Sequence, residues 1–328
     1  MAVLVTGGAG YIGSHTVRAL CAADFDVVVL DSLEFGHREA VLDASLEVGD
    51  IADAELVRRI IDDYSVDSVV HFAGYKAAGE SMEIPERYFD NNVARTAQLL
   101  EVLNDHGVAR VVFSSSCSVY GTPAQLPVDE RHPTGPESPY AESKLMVEQM
   151  LHWFDQCHAL RSVSLRYFNA AGASADGRLG EDSPQPLNLV PLAMLAALGK
   201  VPVLSVYGTD YPTPDGSCIR DYIHVDDLAD AHVRALRYLV DDGSTLSLNV
   251  GTGTGSSVLE VVDGAKRVSG VDFPVEITSR RPGDPSAVWA DTTRAREVLG
   301  WESKHDLDGI LTSAWAWHST HPDGYATT

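Results

Sequence analysis

The chain has 328 residues, 45% of them apolar, and a formal charge of −23 from 47 acids against 24 lysines and arginines. That length provides an ample core for one large domain or two, and no apolar run approaches the length of a membrane span. The charge argues against nucleic acid, anionic membranes and polyanions as partners, so any phosphorylated ligand must be met by local helix N-termini and a few arginines. Ala2–Thr6 is a short apolar run that predicts a buried strand. Gly7, Gly10 and Gly13 follow at three-residue spacing, and Ser14–Leu20 predicts a helix. Strand, glycine turn and helix in that order form a diphosphate cradle. The first glycine permits the tight turn, the second admits the pyrophosphate, and the third lets the helix pack closely on the sheet. The helix N-terminus then presents free N–H groups to the phosphates. Val27–Leu30 predicts the next strand, with Asp31 at its end, eighteen residues after Gly13. A carboxylate there suits the two hydroxyls of an adenosine ribose and repels a 2′-phosphate, which favours NAD over NADP.

Further strands are predicted at Ser68–Phe72, Arg110–Ser114 and Ser162–Leu165, and helices at Ala54–Tyr64, Pro85–Asn104 and Tyr140–Cys157. The alternation predicts an α/β fold: a Rossmann-type doubly wound parallel sheet with helices on both faces. The helices Pro85–Asn104 and Tyr140–Cys157 carry apolar residues on more than one face, which marks either burial or a subunit interface. Glycine, proline and polar residues dominate from Ala170 to Gln185 and again from Tyr207 to Ser217. Long loops of this sort are usually functional, and a second, smaller domain is expected to begin near Asn169. His224–Asp227 reads as a strand end and helix start, with Asp226 and Asp227 as cap and dipole partners and a helix to about Val240. Cys21, Cys117, Cys157 and Cys218 show no paired spacing and read as reduced thiols, neither a disulfide frame nor a metal site. The chain enters its first strand at once, without a leader-like segment, so the expected location is the cytoplasm.

Tyr140 and Lys144 are four apart, behind Pro139, which suits a helix start. Both side chains then rise from one helix face, one turn apart. A free tyrosine has a pKa near ~10, and lowering it toward 7 takes about 4 kcal/mol of preferential stabilisation of the phenolate. A lysine one turn away, with a positive nicotinamide ring, is expected to supply it. Ser114-Ser115-Ser116 ends a strand upstream, at the carboxyl edge where such sheets bind ligands, and offers the hydroxyl that holds the reacting oxygen.

With these motifs in place, the sequence resembles the extended short-chain dehydrogenase/reductase superfamily and, within it, the UDP-glucose 4-epimerase family. The likeness runs nearly end to end. It begins with Thr6-Gly7-Gly8-Ala9-Gly10-Tyr11-Ile12-Gly13 and continues through His71-Phe72-Ala73-Gly74-Tyr75-Lys76, Ser114–Gly121, Ser138-Pro139-Tyr140 and Leu165–Gly172. Its most specific stretch is Tyr207–Gly216 followed by Arg220-Asp221-Tyr222-Ile223-His224, and Arg280-Arg281-Pro282-Gly283-Asp284 completes it.

The resemblance implies Ser116, Tyr140 and Lys144 as the catalytic set. It implies an NAD site of Gly7, Gly10, Tyr11, Ile12, Gly13, Asp31, Asp50, Ile51, Phe72, Ala73, Gly74, Lys76, Asn91, Ser114 and Tyr167, which Tyr140 and Lys144 also touch. A UDP-sugar would meet Lys76, Ser116, Tyr140, Asn169, Asn188, Leu189, Tyr207, Arg220, Tyr222, Arg281, Asp284 and Val288. Tyr207 can stack on uracil, while Arg220 and Arg281 offer the forked cations that a diphosphate takes.

The implied organisation is an NAD domain over 1–169, to which the chain returns around 222–250, and a smaller α/β UDP-sugar domain over 170–221 and 251–328. The implied activity is interconversion of UDP-glucose and UDP-galactose by transient oxidation at C4, in a homodimer. Val288 stands four residues past Asp284, where bulk crowds the 2-position of the hexose. Valine there implies room for N-acetylated sugars. Cys117 stands where the family has alanine and adds an oxidation liability. The segments after Asp31 and after Gly172 are short for the family. A nucleotide-sugar 4,6-dehydratase would carry Asp-Glu where Cys117 and Ser118 stand. A non-catalytic dinucleotide sensor would not need Ser116, Tyr140 and Lys144.

Overall fold

The computed structural model describes residues 1–184, 186–281 and 283–325. The chain opens β1 (Ala2–Thr6), α1 (Tyr11–Ala22), β2 (Asp26–Asp31), β3 (Ser45–Val48), α2 (Ala54–Tyr64) and β4 (Val66–His71). Short helices α3 (Ala78–Ser81) and α4 (Pro85–Tyr88) lead through a π-helical turn, Phe89–Ala94, into α5 (Arg95–Asp105). Then follow β5 (Arg110–Ser114), α6 (Pro139–His158) and β6 (Arg161–Tyr167).

After β7 (Asn169–Ala171) come α7 (Leu189–Ala197), β8 (Leu204–Tyr207), β9 (Ile219–Arg220), β10 (Tyr222–His224), α8 (Val225–Val240) and β11 (Leu246–Val250). The last elements are β12 (Ser256–Ser257), α9 (Val258–Ser269), β13 (Val275–Thr278), β14 (Ala287–Val288), α10 (Thr293–Leu299) and α11 (Leu307–Thr320). Among the described residues no helix is long and apolar enough to cross a membrane.

Seven strands form one sheet in the order β11-β6-β5-β4-β1-β2-β3, and every ladder in it is parallel. Alternation along β1 divides the core. Val3 and Val5 pack on one face with Val17 and Leu20 of α1 and Leu228 and Leu236 of α8. Leu4 packs on the other with Val57 of α2, Leu99 of α5 and Val147 of α6. Each fully buried Leu or Val stabilises the sheet by about 1.5–3 kcal/mol. Helices thus cover both faces, and the strand order reverses between β1 and β4, where ligands bind in folds of this kind.

Three smaller sheets lie beyond it: β10-β7, β12-β9-β14 and β13-β8. The first and last of these share a core with α7, α9 and α11 that contains Met194, Val261 and Leu311. The edge strand β3 has no counterpart among the expected elements. Its four residues Ser-Leu-Glu-Val are all at least partly exposed, so they lack the apolar run of a central strand. The start of α8 also differs from expectation. His224 is the cap, its Nδ1 accepting from the Asp226 N–H at 3.0 Å. Asp226 and Asp227 stand in its first turn, as dipole partners would; Asp226 also pairs with His15 and Arg18, and Asp227 accepts from the Lys304 and His305 N–H groups.

Candidate active site

The carboxyl ends of the central strands bring the functional residues together. Thr6 ends β1, Asp31 ends β2, His71 ends β4, Ser114 ends β5 and Tyr167 ends β6. Gly7 has φ +71°, and a Cβ there would stand 2.6 Å from the Ala73 nitrogen, so the turn and the loop after β4 close only around glycine. A Cβ on Gly13 would stand 2.2 Å from the Gly7 carbonyl. Above Gly10 the space is open, with nothing nearer than the Gly7 carbonyl at 3.4 Å. The first turn of α1 carries no acid and no side-chain cap. Its N–H groups remain available for a diphosphate, so the chain fits NAD's pyrophosphate.

The Asp31 carboxylate accepts from the Ala9 and Leu33 N–H groups at 2.9 and 2.8 Å. Burial pushes its pKa up while those two bonds pull it down. Ile51 is buried in the core, and Asp50 is paired with Arg95. Phe72 packs on His232 with ring centres 4.7 Å apart. The Ser114 hydroxyl donates to the Tyr167 hydroxyl at 3.0 Å. Asn91 donates to Asn92, and Lys76 faces Glu181 at 3.4 Å.

Helix α6 delivers Tyr140 and Lys144. Ser138 caps it by accepting from the Ala141 N–H at 3.2 Å, and Pro139 presets its first turn. The Tyr140 N–H, an orphan of that turn, is taken up by Ser81 Oγ at 3.2 Å. Lys144 Nζ is buried, donates to the Ser114 carbonyl at 2.8 Å and lies 4.9 Å over the Phe113 ring. Burial lowers its pKa to about 8. Ser116 begins the turn after β5, and Ser118 donates to its Oγ from both the backbone N–H (3.2 Å) and the hydroxyl (2.9 Å). The Ser116 proton is thereby left to point at Tyr140 or at a ligand.

Burial raises the Tyr140 pKa, and Tyr167 adds to the rise, while the Ser116 hydroxyl opposes it. Lys144 Nζ donates to the Ser114 carbonyl, so the expected phenolate calls on the positive nicotinamide ring as well as on Lys144. The oxidation liability of Cys117 is also blunted. Burial and Asp221 push its thiol up to about 12, away from the reactive thiolate.

The smaller sheets gather the second set. Val288 of β14 pairs with Arg220 of β9, and Tyr222 of β10 with Asn169 of β7. Arg220 donates to the Ile219 and Pro285 carbonyls and lies 3.5 Å from Asp284. Arg281 stacks 3.7 Å over the Tyr207 ring, leaving one ring face for a base. Asn169 donates to the Asp221 carbonyl. Asn188 is exposed at the N-terminus of α7, ahead of Leu189, and its side chain makes no cap bond. Val288 is 7% exposed and packs with Val119 and Phe168, so only its edge is free to meet a ligand. Pro282 of the same motif lies outside the described residues.

Several contributors were not singled out from the sequence. Asn92 accepts from the Tyr75 N–H and donates to Ser143, whose hydroxyl bonds the Tyr140 carbonyl. The signal was an Asn-Asn pair in mid-helix. Asp221 is fully buried and takes bonds from Thr252, Gly253 and Ala290. In sequence it lies between Arg220 and Tyr222.

A glycine-turn cradle for a dinucleotide, with serine, tyrosine and lysine gathered at its strand ends, defines a nicotinamide-dependent enzyme of the short-chain dehydrogenase type. The chain belongs to the NAD dependent epimerase/dehydratase family, which residues 3–251 match. Within that family it is similar along its whole length to UDP-glucose 4-epimerases. The UDP-glucose 4-epimerase of Halalkalibacterium halodurans is 47% identical over 328 residues, covering 100% of this chain and 98% of the relative. The crystal structure of UDP-glucose 4-epimerase from Brucella ovis in complex with NAD superposes with a TM-score of 0.94 at 45% identity, covering 96% and 97% of the two chains. The UDP-Glc/GlcNAc 4-epimerase of Campylobacter jejuni superposes with a TM-score of 0.86 at 40% identity, covering 97% and 99%.

Proposed function

We propose that the chain interconverts UDP-glucose and UDP-galactose by transient oxidation at C4 of the hexose. The observation that carries this reading is the convergence of Ser116, Tyr140 and Lys144 beside the glycine cradle. NAD, when bound, supplies the acceptor and donor of hydride at C4 and a positive ring that offsets the buried phenolate. Tyr140 Oη takes the proton of the 4-hydroxyl and later returns it. Ser116 holds that oxygen, and Lys144 favours the ionised tyrosine. Tyr207, Arg220 and Arg281 grip the nucleotide and diphosphate, leaving the hexose free to present either face. Ser118 orients Ser116 and is no dehydratase acid. Incubation of the purified protein with UDP-galactose, with the nucleotide sugars resolved, tests the reading; absence of UDP-glucose defeats it.

The small Val288 and the relative that takes both sugars support UDP-N-acetylhexosamines as further substrates. A homodimer is part of the proposal. The two long helical segments expose Phe89 and Trp153, at 36% and 63%, and a second copy would cover them. Light scattering should give twice the chain mass at micromolar concentration, and a monomer would count against the dimer. The free thiols support a reducing, cytoplasmic setting.

A further inference from the structure

Residues 172–182 run across three sides of the dinucleotide cradle. At one end, Tyr11 of the glycine turn donates to the Gly172 carbonyl at 2.7 Å. At the other, His37, in the loop after Asp31, meets the Asp182 carbonyl at 3.1 Å and its carboxylate at 3.5 Å. Between them, the buried Glu181 reaches Lys76 on the loop after β4. Tyr11 starts α1 behind the turn after β1, and His37 and Lys76 follow β2 and β4, so this segment forms a bar over their common opening.

The bar is fastened from behind by the last described residues of the chain. The Asp182 carboxylate accepts from the Tyr325 N–H at 2.9 Å. The Tyr325 hydroxyl accepts from the Gly180 N–H at 3.1 Å and donates to the Gly180 carbonyl at 3.3 Å. Its ring lies 4.9 Å from that of His37 and 5.5 Å from that of Trp317 on α11. Gly180 sits so close to Trp317 that a Cβ would stand 2.1 Å from the indole. The chemistry above makes no use of these contacts.

We propose that Tyr325 and Asp182 are positioning residues, which hold 172–182 shut over the cradle and keep the dinucleotide resident between turnovers. The inference rests on the cradle's fit to NAD but not on the identity of the sugar. A reaction that regenerates its cofactor gains from such retention, because release would empty the site without advancing the reaction.

The test compares wild type with Tyr325→Ala, Tyr325→Phe and Asp182→Asn, each prepared with NAD bound. NAD release is timed after transfer to NAD-free buffer, and amide exchange over 172–182 is measured on the same samples. Loss of one or two such bonds predicts release about tenfold faster in Tyr325→Ala, with faster exchange in the bar. Its kcat in saturating NAD should stay within about twofold of wild type, since opening the bar leaves the chemistry untouched. Tyr325→Phe keeps the ring packing and should fall between the two, which guards against a variant that fails to fold. Faster exchange with unchanged release overturns the proposal, as does unchanged exchange or a wild type that loses NAD on a desalting column. A wild type that keeps NAD yet fails to convert UDP-galactose leaves this inference standing and defeats the reading of the reaction.

Discussion

Tyr140 carries the largest single claim. Burial raises its pKa in the chain alone, and Lys144, lowered to about 8 by its own burial, donates to the Ser114 carbonyl, so ionisation of the phenol calls on the positive nicotinamide ring as well. Tyr140→Phe removes the proton acceptor and keeps the ring against Tyr88. Turnover of UDP-galactose should fall by about 10²–10⁴, with NAD content unchanged. Turnover near wild type would take Tyr140 out of the reaction. Ser118 is a subtler case. Its two bonds to Ser116 Oγ fix that hydroxyl, so Ser118→Ala should lower kcat by about tenfold and leave KM nearly unchanged, as an interaction that matters in the transition state would. An unchanged kcat would mean that the turn backbone alone orients Ser116.

Among the elements, those with strong local signals were legible in the sequence. Helix α2 spans Ala54–Tyr64 as expected, because Asp53 caps it and apolar residues recur on one side. Helix α6 begins at Pro139 because Ser138 and Pro139 specify a start whatever packs above. The segment expected as one helix over 85–104 is interrupted by the π-helical turn at Phe89–Ala94. That turn stems from contacts distant in sequence, with Asn92 bonded to Tyr75 and Ser143. No helical period encodes it, although π-turns recur at functional sites. The sugar end was legible as motif and not as geometry. Val288 was expected to face the hexose, yet its strand β14 seats most of the side chain against Val119 and Phe168. The edge that remains still gives a steric prediction. Val288→Tyr adds a ring that the small core has no room for, so the ring must turn toward the ligand. The ratio of kcat/KM for UDP-N-acetylgalactosamine to that for UDP-galactose should fall by about tenfold or more. A wild type that ignores the acetylated sugar, or a tyrosine variant with an unchanged ratio, would refute the steric account.

At the scale of the whole molecule, the buried histidines tie stability to pH. Burial lowers His71 to about 3, with Lys144 adding to the shift. It lowers His224, with His305 adding to the shift, and His232 and His318 each to about 4. His71 is held neutral between Thr6 and Thr96, and His232 donates to the Leu228 carbonyl. In the unfolded chain each takes its proton near ~6.5. Between that value and the folded pKa, the unfolded state binds more protons than the folded one. Stability contributed by these groups is therefore fully present above about pH 6.5 and is lost as the pH falls toward 4, by up to about 1.4 kcal/mol per pH unit for each histidine. Urea midpoints measured at pH 7.5, 6 and 5 should fall steadily, before most carboxylates begin to titrate. His232→Leu removes an imidazole whose Nε2 is buried without a partner, while the Leu228 carbonyl keeps its helical N–H, so the variant should show a shallower decline. If the wild-type midpoint is flat from pH 7.5 to 5, or the variant declines as steeply, the buried histidines are not what sets the acid limit of this fold.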